Sequence, residues 1–400
     1  ADSVFLNPQG SVSLVGLASQ GLFFTGLAEK IGVEHYIFKV GTYKSAVEPF
    51  FLKKFSDANR EQLTSFLGSV WGNLTTAIEK SRNISSDELD RYLNEGLAMG
   101  QASNAVDYKL ADGLRYRYEV ENCVKEMAGQ DVKGKLKTAG VDKIVSIKVK
   151  EKENKNKIAV LYAEGEIRDE DSSSPFSADE QVISEEMANK LRKLKDDDDV
   201  KAVVFRVNSP GGSAYISEQI WKEVVELKAK KPIVVSMGNY AASGGYYISC
   251  AANKIVAERT TLTGSIGVFG VVRNFTGTFD KVGVTTDIVK TNTFADLGDI
   301  SRPMREDEKA LIQRGVEQTY DLFLTRCADG RGMTKAEIDS IGQGRVWTGE
   351  QALERGLVDQ LGGMDDAIKE AATLAELTDY SVIVADGPKD FFTKFMDIHH

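Results

Sequence analysis

The sequence predicts an α/β protein built on a duplicated domain, and three observations lead there. Sliding the chain against itself by 251 positions lays residues 1–45 on residues 252–296 without a gap, and eleven of those pairs are identical. Among them are Gly16 and Gly267, the triplets Phe24-Thr25-Gly26 and Phe275-Thr276-Gly277, and Gly32-Val33 with Gly283-Val284. Identity sustained at one fixed offset is the mark of an internal repeat. Beyond residue 157, short apolar runs alternate with stretches of helical rhythm, as strands and helices do in succession. Two of these runs pass into glycine-rich turns, Asn208-Ser209-Pro210-Gly211-Gly212-Ser213 and Asn239-Tyr240-Ala241-Ala242-Ser243-Gly244-Gly245-Tyr246.

Taken in order, residues 1–120 mix short β-like runs with helices. Over 58–80 the apolar residues Leu63, Phe66, Leu67, Val70, Trp71, Leu74 and Ile78 recur at helical spacing. Residues 125–157 are rich in lysine and poor in large apolar side chains, which marks a linker with a boundary near 150. A buried strand is expected from Ile158. A polar loop over 169–181 and a helix over 181–195 follow. Asp196 to Asp199 could be a cation site or a solvated turn, and charge runs favour the turn. A strand at 202–207, a helix at 214–229, a strand at 233–236 and an apolar helix from Ser243 to about 252 complete the α/β pattern. The tail reads as a strand at 380–384 and an amphipathic piece at 391–398. The domains are therefore expected at 1–124, a linker at 125–157, a second repeat at 158–375, and a C-terminal strand and helix at 376–400. Because repeat two starts near Ile158 and repeat one is already opposite Ala252 at Ala1, about ninety residues are expected before Ala1 in a longer protein. A signal peptide or membrane anchor would belong to that part.

Composition narrows the function. The chain of 400 residues is 42% hydrophobic and 28% charged, ordinary for a globular protein. A net charge of −10 argues against a nucleic-acid partner, which needs clustered Lys and Arg. The apolar stretch 12–28 is too interrupted to span a bilayer. Cys123, Cys250 and Cys327 have neither metal spacing nor a disulfide pattern, and buried free thiols are expected. There are three histidines, His35, His399 and His400, so a Ser-His-Asp triad has only His35 to draw on, and no metal site is expected.

The two glycine turns carry the chemistry. Glycines where a strand passes into a helix leave backbone N–H groups open toward a ligand oxygen. A serine at such a turn, as Ser243 is, has an exposed hydroxyl, and the Gly244 N–H beside it can face a developing oxyanion. Either turn alone can also be a plain helix cap. Lys44 is the residue without a twin, since Ala295 stands at its repeat position. Most lysines are solvated, but this one sits among Val40, Tyr43, Ala46 and Val47. A lysine base must be neutral; bringing its pKa from ~10.4 to ~7–8 means roughly 4 kcal/mol against the ammonium, supplied by desolvation. The base and Ser243 come from different repeats, so the site is expected between domains. The segment after Pro210-Gly211 is a candidate edge for an extended peptide.

Four motifs resemble those of one family in its order. They are Val40-Gly41-Thr42-Tyr43-Lys44-Ser45-Ala46-Val47-Glu48-Pro49, Val207-Asn208-Ser209-Pro210-Gly211-Gly212-Ser213, Tyr240-Ala241-Ala242-Ser243-Gly244-Gly245-Tyr246 and Leu262-Thr263-Gly264-Ser265-Ile266-Gly267-Val268. The chain resembles the signal peptide peptidase A (protease IV) family in its long tandem-repeat type. The resemblance implies tandem ClpP/crotonase-like α/β domains of spiral β-β-α repeats, the first N-terminally incomplete. It implies Ser243 as nucleophile, Lys44 as general base, Ser265 orienting the lysine, and the N–H groups of Gly212 and Gly244 as oxyanion hole. Asn208, Ser209, Pro210, Gly211 and Ser213 would bind substrate. No cofactor is implied. Further expectations are signal-peptide-like substrates, a tetramer-like ring of identical chains, and a place at the cytoplasmic membrane with the catalytic domains on the periplasmic side. The membrane segment of the family is expected in the part that would precede Ala1. Two competing readings are a catalytically degenerate scaffold and a crotonase-type acyl-CoA enzyme, which would want a carboxylate rather than a lysine.

Overall fold

A computed structural model describes residues 3–95, 100–145, 154–168 and 181–385. By its internal contacts the chain divides into two compact units, Ala1–Ser19 with Leu67–Lys152, and Gln20–Phe66 with Glu153–His400. In the first, a two-residue parallel ladder joins Phe5–Leu6 to Gly113–Leu114. Its small core gathers Ile84, Leu89 and Tyr92 with Leu14, Ile78 and Tyr108. Helix Arg117–Met127 runs into the start of the lysine-rich stretch, where the buried Lys125 donates to Val132 O at 3.1 Å.

The second unit is built on an eight-stranded sheet. Its main path runs Val346–Thr348, Leu262–Gly264, Ile233–Ala242, Val200–Ser209, Lys157–Glu164, Ser381–Val384; Lys254–Ala257 joins Ile233–Ala242 to Gln360–Leu361. All these pairings are parallel except that of Val346–Thr348 with Leu262–Gly264. Parallel strands need cover on both faces, which is why their sequences are nearly continuous apolar runs. Ala159, Leu161, Val203, Phe205, Ile233 and Val235 meet Leu191 and Leu194 of helix Glu186–Asp196 and Ile216, Ile220, Val224 and Leu227 of helix Ala214–Lys228. Ile158, Val160, Ala202, Val204 and Val234 turn the other way, onto Ala367 and Ala371 of helix Met364–Leu374. The four aspartates end helix Glu186–Asp196 and form the turn before Val200, with Asp196 paired to Lys230 and Asp199 to Lys157, both at 2.8 Å.

Several expectations change. The strand expected to stop at Ser236 continues to Ala242, because Tyr240, Ala241 and Ala242 pair with Leu262, Thr263 and Gly264. The helix expected over 243–252 is one turn, Gly244–Tyr247. No strand follows Pro210-Gly211; Gly212 makes a lone parallel bridge to Ile167 and the helix begins at Ala214. Cys250 and Cys327 are buried, but Cys123 is half-buried and accepts from Arg115. The loop at 169–181, apart from Gln181, and the piece at 391–398 lie outside the described residues. Among the described residues no helix is long and apolar enough to cross a membrane.

The repeat is present in the backbone. Helices Thr25–Ile31 and Thr276–Val282 start 251 positions apart, each entered from a phenylalanine and closed by a left-handed glycine, Gly32 or Gly283. Helices Asp57–Arg82 and Glu306–Arg331 start 249 apart, and each has 26 residues. Strand Glu34–Val40 of the first copy pairs antiparallel with Val268–Asn274 of the second, from Val40 opposite Val268 to Glu34 opposite Asn274. That ladder carries the segment ending at Lys44 onto the second repeat. Segments 17–23 and 285–291, the repeat counterparts of these two strands, are in no strand.

Gly26 and Gly277 are repeat partners in different surroundings. A Cβ at Gly26 meets nothing within 4 Å, whereas one at Gly277 meets Gly32 O at 2.9 Å. Gly26→Ala should therefore be neutral or stabilise by up to about 1 kcal/mol through helix propensity. Gly277→Ala should cost about 1–3 kcal/mol of overpacking. Urea unfolding of the two variants side by side reads the difference.

Candidate active site

Three chain segments meet at the end of the sheet. The first is the turn after Ile233–Ala242. Ser243 adopts φ 54° and ψ −119°, a conformation that disfavours a side chain. Its N–H donates to Gly264 O at 2.9 Å, and Tyr247 N–H donates to Ser243 O at 2.9 Å. These bonds hold the residue between strand and helical turn with its hydroxyl projecting, the geometry of a nucleophile elbow. The second segment follows Leu262–Gly264. Ser265 also has positive φ, 51°, and is pinned by its N–H to Arg345 O at 2.7 Å. The third is the loop after Glu34–Val40, which delivers Lys44.

Lys44 Nζ lies 3.0 Å from Ser243 Oγ, 3.0 Å from Ser265 Oγ and 3.0 Å from Ser265 O. The residue is 4% exposed. Glycines wrap its stem: a Cβ on Gly344 would lie 2.6 Å from Lys44 Cβ, and one on Gly267 3.2 Å from Lys44 Cδ. Phe269 covers the amine, its ring centre 5.9 Å away. No salt bridge among the described residues engages Lys44, and burial pushes its pKa down to about 7. A neutral amine has two N–H donors and one lone pair. With the two hydrogens donated to Ser265 O and Ser265 Oγ, the lone pair is directed at the Ser243 hydroxyl. Such an arrangement can accept a proton from Ser243.

The two glycine turns come together beside Ser243. A Cβ on Gly211 would lie 2.5 Å from Gly244 N and 2.8 Å from Ser243 Cβ, so only glycine permits this approach. Gly212, at φ 147°, presses against Ile167, whose O accepts from Ser213 N at 2.7 Å. Among the described residues, the N–H groups of Gly212 and Gly244 have no hydrogen-bond acceptor. They flank a cleft of about 790 Å³ lined by Lys44, Ser243, Ser265 and Pro210 to Ala214, and walled by Ile167, Tyr247, Val268, Phe269 and Phe323. Tyr247 turns its hydroxyl away, donating to Glu218 at 2.6 Å, and leaves its ring to the cleft.

Most residues expected at the site are there: Lys44, Ser243, Ser265, Pro210, Gly211, Gly212, Ser213 and Gly244 all line the cleft. Asn208 and Ser209 do not. Ser209 is fully buried and its Oγ accepts from Gly211 N at 3.1 Å, and Asn208 Oδ1 accepts from Tyr240 N at 3.4 Å. Both brace the turns instead of facing the cavity. Lys44 and Ser243 belong to one compact unit, although their repeats differ. His35 is stacked on Phe50 in the Glu34–Val40 strand. Sequence reasoning named Gly267 without placing it at the site and passed over the Gly342-Gln343-Gly344 turn. Gln343 O accepts from Tyr43 N at 2.8 Å, and Gly344 backs the lysine. The spacing Gly-Gln-Gly was the available signal, without anything in the sequence to link it to residue 44.

Known proteins show similarity of the same kind. The description "Peptidase family S49" matches residues 1–131 and 225–378, and "Clp protease" matches 174–266. The chain is 39% identical over 384 residues to Protease 4 of Salmonella typhi, which covers 94% of this chain and 61% of that protein. It is 38% identical over 245 residues to the putative signal peptide peptidase SppA of Enterococcus faecium, covering 61% of this chain and 71% of that one. The chain thus spans about three fifths of the length of the Salmonella relative. Among solved structures, a ClpP1 point mutant from Listeria monocytogenes aligns at TM-score 0.33 and 16% identity, over 53% of this chain and 94% of that one.

The depressed amine has a thermodynamic signature. The unfolded chain binds a proton at residue 44 up to pH ~10.4, whereas the folded chain releases it above about 7. Stability contributed by this residue is therefore fully present above pH ~10.4 and is lost as pH falls toward 7. Lys44→Met removes the effect. The stability of the natural protein minus that of Lys44→Met should rise by roughly 4 kcal/mol between pH 7 and 10, read by denaturant titration at each pH.

Proposed function

The chain belongs to peptidase family S49, and from that premise we propose that it is a serine peptidase working through Ser243 and Lys44. The observation that carries this reading is the 3.0 Å approach of a dry lysine amine, without a counter-ion among the described residues, to the hydroxyl of a strained serine. Lys44 Nζ takes the Ser243 proton as Oγ attacks the scissile carbonyl carbon. The negative charge on the carbonyl oxygen is received by the N–H groups of Gly212 and Gly244, each such donor being worth about 10²–10³ in rate. The ammonium of Lys44 then gives its proton to the leaving amine as the C–N bond breaks. A water adds to the acyl-serine by the same route, its proton passing through Lys44 back to Ser243 Oγ. Ser265 orients the amine throughout, through its hydroxyl and its carbonyl.

The substrate is proposed to be an extended, largely apolar peptide, including cleaved signal peptides. Ile167, Tyr247, Val268, Phe269 and Phe323 make an apolar wall beside the nucleophile. The name of the Enterococcus relative points the same way. Pro210, Gly211 and Ser213 would face the peptide backbone. The membrane is the place of action we propose, with the site on its extracytoplasmic side. An acyl-CoA reading would need a carboxylate acid/base; among the described residues the one acidic residue lining the cleft, Glu166, has a largely exposed side chain next to Arg168.

Assembly into a closed homo-oligomer of tetramer-like form is part of the proposal. Strand Glu34–Val40 pairs with Val268–Asn274 within the chain. Their repeat counterparts, 285–291 and 17–23, lack strand partners and expose Leu17 at 45%, Leu22 at 66%, Ile288 at 41% and Val289 at 100%. Moving the observed register by 251 positions pairs Leu17 with Thr291 and Phe23 with Thr285 of a second copy. The contact is head to tail, so it propagates until a ring closes.

Two measurements check these statements. A fluorophosphonate should label the natural protein and not Ser243→Ala, and peptide hydrolysis should be lost in Ser243→Ala and Lys44→Ala, with activity rising through a pH of about 7 as Lys44 deprotonates. Labelling of Ser243→Ala at the natural rate would sink the assignment. Val289→Lys should lower the mass seen in sedimentation while leaving the circular dichroism of the chain unchanged; unaltered mass would exclude this strand pairing.

A further inference from the structure

Helix Asp57–Arg82 buries two residues, and both are amides, Asn59 and Gln62. An amphipathic helix ordinarily turns apolar side chains inward at this spacing. The matching helix of the second repeat, 249 positions on, has Glu308 and Leu311 at these places, so the inward glutamine belongs to the copy that carries Lys44. Gln62 is 3% exposed, and burying an amide costs stability unless its polar atoms are matched.

Each of them is matched, and the partners lie on two sides of the site. Gln62 Nε2 donates to Tyr43 O and Ser45 Oγ, both at 2.9 Å, the residues immediately before and after Lys44. Gln62 Oε1 accepts from Val346 N at 3.2 Å. Val346 begins the strand next to Leu262–Gly264, and its neighbour Arg345 holds the Ser265 N–H. Behind Gln62, Asn59 Oδ1 lies 3.1 Å from Nε2, while Asn59 Nδ2 donates to the buried Glu48 at 2.9 Å. Glu48 also accepts from the Ser56 hydroxyl. The amide thus has its nitrogen toward oxygens and its oxygen toward an N–H, which leaves it a single orientation.

We propose that Gln62 is a positioning residue for the reaction: its side-chain amide clamps the backbone around Lys44 to the strand edge that fixes Ser265, and so sets the height of the amine over Ser243. The proposal rests on the reading of Lys44 as base. Gln62 touches neither substrate nor the reacting atoms. Its effect runs through two backbone segments and through the exclusion of water from the lysine stem.

The test compares kcat, KM and the pH profile of Gln62→Leu with those of the natural protein. Leucine restores the residue type of the second repeat and keeps the bulk. Ser65→Ala is the control on the same helix, since it removes only a hydroxyl that accepts from Gln351. Gln62→Leu should lower kcat about ten- to a hundredfold with little change in KM, as expected for a small misplacement of a catalytic group. Its acid limb should move above pH 7, because an amine reached by water regains its ordinary basicity. Ser65→Ala should do neither. A lowered kcat with an unmoved acid limb, or an equal loss in Ser65→Ala, would overturn the proposal. If Gln62→Leu does not fold, Gln62→Met, whose unbranched chain follows the path of glutamine, takes its place; failure of both to fold would assign Gln62 to stability alone and equally overturn it. Lys44→Ala and Ser243→Ala run in parallel: turnover retained in either refutes the base and nucleophile, whereas their loss with a natural Gln62→Leu profile refutes only Gln62.

Discussion

The desolvation of one amine governs the arrangement of everything around it. In water, Lys44 would hold its proton far above neutral pH and its lone pair would be occupied. Buried to 4% exposure, it is pushed down to about 7 by the absence of water and by no nearby cation. That result requires three conditions together. The stem must be enclosed, which Gly344 and Gly267 achieve by approaching more closely than any side chain would allow. The amine must have polar partners that do not carry charge, which the hydroxyl and carbonyl of Ser265 supply. Nearby acids must be engaged elsewhere, as Glu48 is with Asn59 and Ser56.

Backbone strain complements this dryness. Ser243 and Ser265 both take positive φ without being glycine, a cost of about 1–3 kcal/mol each that persists only where surrounding bonds over-determine it. Here the constraints come from the sheet. Ser243 N is tied to Gly264 O, Ser265 N to Arg345 O, and both strands involved are paired on either side. The two hydroxyls are thereby aimed at one point from adjacent strand ends. On the proposed reading of Lys44 as base, such rigidity keeps the cost of aligning proton donor and acceptor out of the reaction itself.

The duplication explains why Lys44 arrives from 199 residues before Ser243 and 221 before Ser265. In each repeat the same helix is closed by a glycine cap, but only in the first does a strand, Glu34–Val40, follow and lead to a lysine; the second has alanine at that place. The antiparallel ladder between Glu34–Val40 and Val268–Asn274 is what carries the lysine across. One copy holds the turn of Ser243 and the other Lys44, inside a single compact unit. Residues 20–66, which carry Lys44, pack in the same compact unit as residues 153–400 and not with the rest of their own repeat.

Much of the site was legible in the chain because it depends on neighbours in sequence. Glycines at strand ends, a serine flanked by alanine and glycine, and a lysine lacking its repeat counterpart sufficed to single out Ser243, Gly244, Gly211, Gly212 and Lys44. Strand lengths were read less well: nothing local near Tyr240 says that Leu262–Gly264 will pair there and extend the strand to Ala242. Nor could the sequence distinguish Ser213, which lines the cleft, from Ser209, which is sealed beneath it. By itself the sequence determined the duplicated α/β plan and the residue types able to perform the chemistry, since periodicity and turn preference act over a few residues. Only the tertiary structure decided that the amine is dry, that Gly344 and Gln62 hold it, and that it stands 3.0 Å from each of the two hydroxyls. Desolvation and distance are set by segments that meet only on folding, and no short stretch of chain encodes either.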